Sequence, residues 1–154
     1  MMGYTTEFEG QFALDKPLDE PTATFLRKLA RTRRVARKLP EKYGVEGEFF
    51  VDSGYDTIGP PDDILDYNKP PRTQPGLWCQ WIPTKDGAAI EWDGHEKFYD
   101  YVPWLEYIID KILLPRGYVL NGNVDWRGQS WEDTGTISVR ENCVSVGPTK
   151  AVSV

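Results

Sequence analysis

The stretch KFYDYVPWLEYIIDKILLPRG, residues 97–117, has the clearest periodicity in the chain and decides the fold class. Its apolar side chains recur three and four residues apart, which predicts an amphipathic helix over 97–114. Those side chains are Phe98, Val102, Leu105, Ile109 and Ile112. Pro103 fits only near the start of such a helix, because proline lacks the N–H of an intrahelical bond. Pro115 and Gly117 predict the helix end.

Segments with strand periodicity lie on both sides of this helix. On its C-terminal side, apolar and polar residues alternate over 118–126, and two short apolar runs, 137–139 and 144–146, flank a turn at Glu141-Asn142. On its N-terminal side, 77–83 and 88–93 predict a hairpin. The helix is therefore expected between groups of antiparallel strands.

The N-terminal third adds a strand, a helix and irregular structure. Residues 4–14 alternate as a half-buried strand does. Asp19 is a candidate N-cap for a second helix that ends before Pro40. Residues 48–51 are a short strand candidate, and the many glycines and prolines of 53–75 predict an irregular loop.

These predicted elements follow the order β-α-β-β-β-α-β-β-β. That order indicates an α+β fold: an antiparallel sheet of about five to seven strands with both helices packed on one face. We expect one domain over 1–146 and a flexible tail over 147–154.

Length and composition exclude several protein classes. A chain of 154 residues with 40% apolar content suits one compact domain. It contains no apolar run long enough to span a membrane and no secretory leader, which favours a cytoplasmic protein without membrane partners. Cys79 and Cys143 are far apart and outside any CxxC pattern, so we expect two buried thiols rather than a zinc ribbon or a disulfide.

Charge is unevenly distributed along the chain. The net charge is −6, yet residues 27–38 hold 7 of the 18 basic residues and no acidic one. An acidic remainder makes duplex nucleic acid an unsuitable partner for the whole surface. On one continuous helix the basic residues form a stripe that either meets a phosphate or an acidic partner, or is simply solvated. The stripe consists of Arg27, Arg31, Arg34 and Lys38.

Four segments of the chain are distinctive: MGYTTEFEG (2–10), PPRTQPGLWCQWIP (70–83), EWDGHEKFYDYVPWLEYII (91–109) and GYVLNGNVDWRG (117–128). Together they resemble a family of small uncharacterised proteins of bacteria and their phages. No activity is carried over by this resemblance. It implies a phage or prophage accessory protein, a class that includes inhibitors of host defence. Gly94-His95 replaces a Gly-Gly pair of the family, which places His95 outside any shared chemistry.

Catalytic motifs are sparse. A single histidine excludes metal sites that need two, and no GxGxxG or P-loop pattern occurs. Glu91, Asp93 and Glu96 form a compact acidic group that could bind Mg²⁺ or Ca²⁺, although carboxylate-rich turns are commoner. We therefore predict no cofactor and no metal, and lean toward a protein that is not an enzyme.

Aromatic residues offer the more concrete binding hypothesis. Trp81, Trp92 and Tyr99 are candidates to stack on a nucleotide-like ligand, and Trp78 and Trp126 belong to the same aromatic set. Two basic residues, Arg72 and Lys97, are candidates to neutralise anionic groups, and Asn121 is a candidate to read polar edges. The alternative is that these rings pack in the core or at its rim.

Three functions follow from these candidates. The first is binding, without turnover, of a nucleotide-like or small polar ligand, with sequestration of a host defence signal as its biological use. The second is inhibition of a host protein through the basic stripe. The third is metal-assisted nucleotide cleavage by the acidic group. A sheet of this size also leaves an edge that a homodimer would cover.

Overall fold

The computed structural model describes residues 5–51, 64–66, 68–95, 98–130 and 132–147. Its main element is a six-stranded antiparallel sheet. The strands are β1 (Glu7–Leu14), β4 (Trp81–Pro83), β5 (Ala89–Trp92), β6 (Leu120–Arg127), β7 (Thr134–Arg140) and β8 (Cys143–Gly147). Their order in the sheet is β4-β5-β1-β6-β7-β8. A separate small sheet pairs β2 (Ala36–Arg37) with β3 (Ile64–Asp66).

Two helices cover one face of the large sheet. They are α1 (Glu20–Arg31) and α2 (Tyr101–Ile108), and α2 continues as a π-helical turn over Ile109–Leu113 and a 3₁₀ turn over Leu114–Arg116. Asp19 caps α1 as expected, since its carboxylate accepts a hydrogen bond from the backbone N–H of Thr22 at 2.8 Å. Buried residues of both helices and of the large sheet form one cluster. This confirms the α+β fold with both helices on one face.

The core lies between the helices and this face. Alternation places Phe12 of β1, Leu120 and Val124 of β6, and Ile137 of β7 toward the helices, and all four side chains are fully buried. Phe8 fills one end of the core, where the centroid of its ring lies 4.9 Å from that of Tyr101. The same ring also contacts Trp81, Trp92 and Phe98. The opposite face of the sheet is polar.

Most of the large sheet follows the sequence prediction. The 89–92 and 81–83 pairing confirms the hairpin, with a shorter first strand than expected. Strands β6, β7 and β8 confirm the three predicted after α2, and β8 extends through Gly147, one residue beyond the predicted domain end. Residues 148–154, the rest of the predicted tail, lie outside the described residues.

The segment between α1 and β4 differs from the prediction. Residues 48–51 form a turn and an irregular segment after a 3₁₀ helix rather than a strand, and the two short strands of the small sheet were not predicted. Helix α1 ends at Arg31, well before Pro40. Of the predicted loop 53–75, only 64–66 and 68–75 are described; they contain β3 and turns.

The described residues contain no helix that is both long and apolar enough to cross a lipid bilayer.

Candidate functional site

A groove of about 660 Å³ lies between α1 and the edge formed by β4. Its floor comes from β4 and the residues before it, where Trp78, Gln80 and Ile82 recur at every second position and line the groove. The helix side of the groove is supplied by Arg27, Ala30 and Arg31. Ala30 is small, which leaves room between the two arginines.

The arginines line the groove because of how α1 packs. Leu26 and Leu29 are buried in the core, so the neighbouring face of the helix turns toward β4. Arg27 and Arg31 are four residues apart and are neighbours on that face. Arg27 is positioned further by a hydrogen bond from its guanidinium to the backbone carbonyl of Thr84, 3.0 Å away. The groove wall therefore carries two adjacent positive charges.

An aromatic surface and an imidazole complete the groove. Trp78 is 37% exposed, the only tryptophan among the exposed large apolar residues that the structure describes. At the far end, Nδ1 of His95 lies 3.0 Å from Oδ2 of Asp93, whose side chain is only 13% exposed. Asp93 also accepts a hydrogen bond from the backbone N–H of His95, so the carboxylate fixes the loop and the ring together. The imidazole is left with Nε2 for a ligand.

The groove can hold a ligand with both an anionic group and a flat ring. Guanidinium groups bind phosphate or carboxylate oxygens through paired hydrogen bonds, and an indole face stacks on a base. Its volume lies within the range of small-molecule sites. Among the described residues, no group of three or more His, Cys, Asp or Glu side chains is placed to hold a metal ion.

The predicted basic stripe does not form on one helix. Arg27 and Arg31 do lie together, but α1 stops at Arg31, where Thr32 turns to an extended backbone and its hydroxyl donates to the carbonyl of Lys28 at 2.8 Å. Lys38 is exposed beyond β2, away from the helix. Arg34 is 2% exposed, so the predicted contact between Arg34 and a partner is wrong.

Arg34 instead forms the centre of a buried polar cluster. Its guanidinium donates to the carbonyls of Glu48 and Phe50 and, at 3.1 Å, to Oε1 of Gln74. Gln74 donates in turn to the carbonyl of Glu48 and to the hydroxyl of Tyr107. Burial lowers the pKa of Arg34 to about 10 and raises the pKa of Tyr107 to about 12. We call these five residues, Arg34, Glu48, Phe50, Gln74 and Tyr107, the Arg34 cluster.

The predicted stacking residues are dispersed. Trp81 is 1% exposed and packs against Phe8, Phe12 and Phe98, which is incompatible with the predicted stacking on a ligand. Trp92 is half-buried at the end of β5 and lines a different cavity. Tyr99 is 54% exposed and does not line the groove.

The predicted polar ligand residues also lie elsewhere. Arg72 is 82% exposed and paired with Glu46. Asn121 is exposed on the polar face of the sheet, where its carbonyl oxygen accepts from the backbone N–H of Glu141 at 2.8 Å and holds the β7–β8 turn. Lys97 and Glu96 lie outside the described residues. Glu91 pairs with Gln11 across the β1–β5 ladder.

Trp78 was counted in the aromatic set but not among the three stacking candidates, and His95 was missed. Trp78 shares its strand periodicity with Gln80 and Ile82, which also line the groove, and alternates with Cys79 and Trp81, which belong to the core. No sequence pattern identified His95. Its role depends on where the chain turns after β5, which is a tertiary property.

Comparison of the chain with protein-family models, with curated proteins and with solved structures finds no significant match.

Proposed function

We propose that this protein binds a small anionic ligand that carries an aromatic ring, as a nucleotide does, in the groove between α1 and β4. The observation that carries the proposal is that Arg27, Arg31 and Trp78 line one groove of about 660 Å³. The proposed function is the one expected from the sequence, but the proposed site is formed by other residues. None of the described residues predicted to bind the ligand lines the groove; Arg27 and Arg31, which do line it, were predicted to contact a protein partner.

The surrounding charge supports a specific site rather than general attraction of anions. The chain has a net charge of −6, so a diffuse electrostatic field would repel a phosphate. Binding must then come from short-range, directed hydrogen bonds of the two guanidinium groups. As part of the same proposal, the protein acts in the cytoplasm of a bacterial host and sequesters a nucleotide signal.

The test is isothermal titration calorimetry with a panel of nucleoside monophosphates, triphosphates and cyclic dinucleotides. For the best nucleotide we expect at least ten-fold tighter binding than for its nucleoside or for ribose 5-phosphate. The nucleoside lacks the phosphate that the arginines bind, and ribose 5-phosphate lacks the base that stacks on Trp78. Arg31→Gln and Trp78→Ala should each weaken binding about ten-fold, or about 1.4 kcal/mol. Lys28→Gln is the matched control, since Lys28 is exposed on α1 but does not line the groove.

Two results would overturn the proposal. One is the absence of binding by every nucleotide in the panel. The other is binding that Arg31→Gln, Trp78→Ala and Lys28→Gln leave equally unchanged, which would place the ligand elsewhere.

The Asp93–His95 pair favours a second candidate function, cleavage of the bound nucleotide. A carboxylate that holds an imidazole by one nitrogen leaves the other nitrogen to act as a general base toward water. The same incubations, analysed by chromatography for hydrolysis products, separate the two functions. Product formation that His95→Gln abolishes, with binding retained, supports cleavage; an intact ligand after prolonged incubation supports binding alone.

A further inference from the structure

The strand β8 forms one edge of the large sheet, and among the described residues no strand pairs with its outer side. Such an edge offers unpaired N–H and C=O groups to another chain, and proteins usually protect it with charge, proline or a covering element. The β4 edge has two of these features, since it contains Pro83 and α1 lies beside it. The five residues of β8 include no charged residue and no proline. Of the two described edges, β8 is therefore the one suited to pairing with a further strand.

The turn before β8 determines which of its backbone groups point outward. Arg140 and Cys143 are opposite each other across a two-residue turn whose central residues both have positive φ, as in a type I′ hairpin. The residues that flank such a turn form a hydrogen-bonded pair, so the backbone groups of Cys143 point toward β7. Alternation then points the backbone N–H and C=O of Val144 and of Val146 away from β7. The open edge therefore presents two donors and two acceptors.

The side chains of the same two valines continue the apolar core face to this edge. Val144 and Val146 lie opposite Val139 and Ile137 of β7, both of which are buried in the core. Val144 packs against that core, whereas Val146 is 50% exposed. A further strand beside β8 would bury more of Val146 and would pair with both valines across the ladder.

We propose that β8 pairs antiparallel with β8 of a second copy of this chain. A two-fold axis at Ser145 places Val144 opposite Val146 of the second copy. Each valine presents one donor and one acceptor, so four hydrogen bonds satisfy every outward group of β8 in both copies. The contact joins identical surfaces and closes at two copies, with the protected β4 edges outermost. The proposal is independent of the nucleotide groove, which lies at the other edge of the sheet.

Neighbouring registers leave outward groups of β8 unpaired. With the axis at Val144, Val146 lies opposite Asn142 of the second copy, whose backbone N–H already donates to a carbonyl of β6 at 3.1 Å. With the axis at Val146, Val144 lies opposite Pro148, which has no N–H to donate. A shift by one position sets outward groups against inward ones and places the valines on opposite faces. Of these registers, the one centred on Ser145 satisfies all of the outward groups.

The first test is sedimentation velocity over a concentration series in a reducing buffer. One strand edge buries less area than the roughly 1,600 Å² of a standard stable interface, so we expect a dimer that dissociates on dilution. Val146→Lys adds a charge to the edge and should raise the dimer dissociation constant at least ten-fold. The matched control is Val45→Lys, since Val45 is 58% exposed on a 3₁₀ turn beside β2. Monomer alone at every concentration, or a dimer on which both variants act alike, would overturn the proposal.

Disulfide trapping tests the register. The backbone groups of Ser145 point toward β7, so Ser145 meets its own copy in a non-hydrogen-bonded pair with Cα atoms about 4.5 Å apart, which a disulfide can span. In a Cys143→Ser background, Ser145→Cys should therefore form a cross-linked dimer when diamide oxidises the thiols. Ser138→Cys, on the same face but one strand further from the axis, is the control and should not. Wild-type Cys143 lies two positions from the axis and should also stay uncross-linked. Faster cross-linking by either of these than by Ser145→Cys would contradict the register.

Amide hydrogen exchange distinguishes a second copy from a segment of the same chain as the cover of this edge. The amide protons of Val144 and Val146 should gain protection as the protein concentration rises, whereas that of Val124, in the central strand β6, should not change. Protection of the two β8 amides that is independent of concentration would assign the cover to the chain itself and would overturn the proposal.

Discussion

Cys79 and Cys143 have the same chemistry in different surroundings. Cys79 is buried in the core beside Trp81, as predicted, whereas the prediction of a buried Cys143 is wrong because that residue lies exposed on β8, the edge strand. Burial raises the pKa of the Cys79 thiol from 9.0 to about 12. Cys143 should therefore react with a thiol reagent in the folded protein, and Cys79 only after unfolding.

The raised pKa of Cys79 predicts a loss of stability at alkaline pH. Above pH 9 the unfolded chain releases this proton while the folded chain keeps it, so the contribution is full below pH 9 and is lost between about 9 and 12. From pH 8 to 10 the loss should reach about 1.4 kcal/mol. Urea unfolding at both pH values should show this loss in the wild type and in Cys143→Ser, whereas Cys79→Ala should keep only the smaller loss that comes from the raised pKa of Tyr107. An identical loss in Cys79→Ala would contradict the assignment.

At the scale of the element, the end of α1 depends on Arg34. The backbone N–H of Arg34 donates to the carbonyl of Leu77 at 2.8 Å, and its side chain enters the Arg34 cluster. Continuing the helix through residue 34 would break both connections. These contacts join the segment after α1 to the segment before β4.

Replacing Arg34 should therefore cost far more than replacing a neighbouring basic residue. In Arg34→Met the carbonyls of Glu48 and Phe50 lose a buried donor, and we expect unfolding free energy to fall by about 3 kcal/mol. Lys28→Met, at an exposed site on α1, should change it by less than about 0.5 kcal/mol. Chemical denaturation measures both. A loss in Arg34→Met as small as that in Lys28→Met would show that the cluster does not stabilise the fold.

The contrast between elements explains what the sequence could predict. Helix α2 and the strands of the large sheet were predictable because one face of each is buried, and that leaves a period in the apolar residues. No such period shows which of the arginines in residues 27–38 is buried, because a buried arginine and an exposed one are the same letter in the sequence. Only contacts with Glu48 and Gln74, distant in the chain, distinguish them.

The groove was also predictable only in part, because local sequence patterns do not show which distant residues meet. Arg27 and Arg31 were predicted as neighbours from helical spacing alone, and the structure places them together. Their pairing with Trp78 depends on how α1 packs against β4, which no local pattern encodes. Asn121 was predicted to bind a ligand, but its amide oxygen stabilises the Glu141-Asn142 turn instead. Both residues of that turn have positive φ, 49° and 69°.

At the scale of the whole molecule, opposite charges are concentrated in different places. The groove carries two arginines within a chain of net charge −6, whereas Glu7, Glu9 and Asp125 lie close together at the end of the large sheet. The proposed anionic ligand therefore matches the charge of the groove rather than that of the chain as a whole.

The arrangement of the core predicts cooperative unfolding of the main sheet and the Arg34 cluster. One buried cluster includes residues of both helices and of β1, β4, β5, β6 and β7, so no large part of the sheet has a core of its own. Tyr107 belongs to this core and also accepts the hydrogen bond of Gln74. The segments around Glu48 and Gln74 are thereby tied to α2.

We expect a single unfolding transition in urea, with the same midpoint by tryptophan fluorescence and far-ultraviolet circular dichroism. The described tryptophans all lie outside 33–76, so fluorescence reports mainly on the large sheet. Amide hydrogen exchange supplies the other half of the test. The amide protons of Arg34 and Phe50 should open with the same free energy as those of Phe12 and Val124. Faster opening of the first pair would show that the Arg34 cluster unfolds separately. In Arg34→Met, where the link to Gln74 is lost, that separation is the expected result.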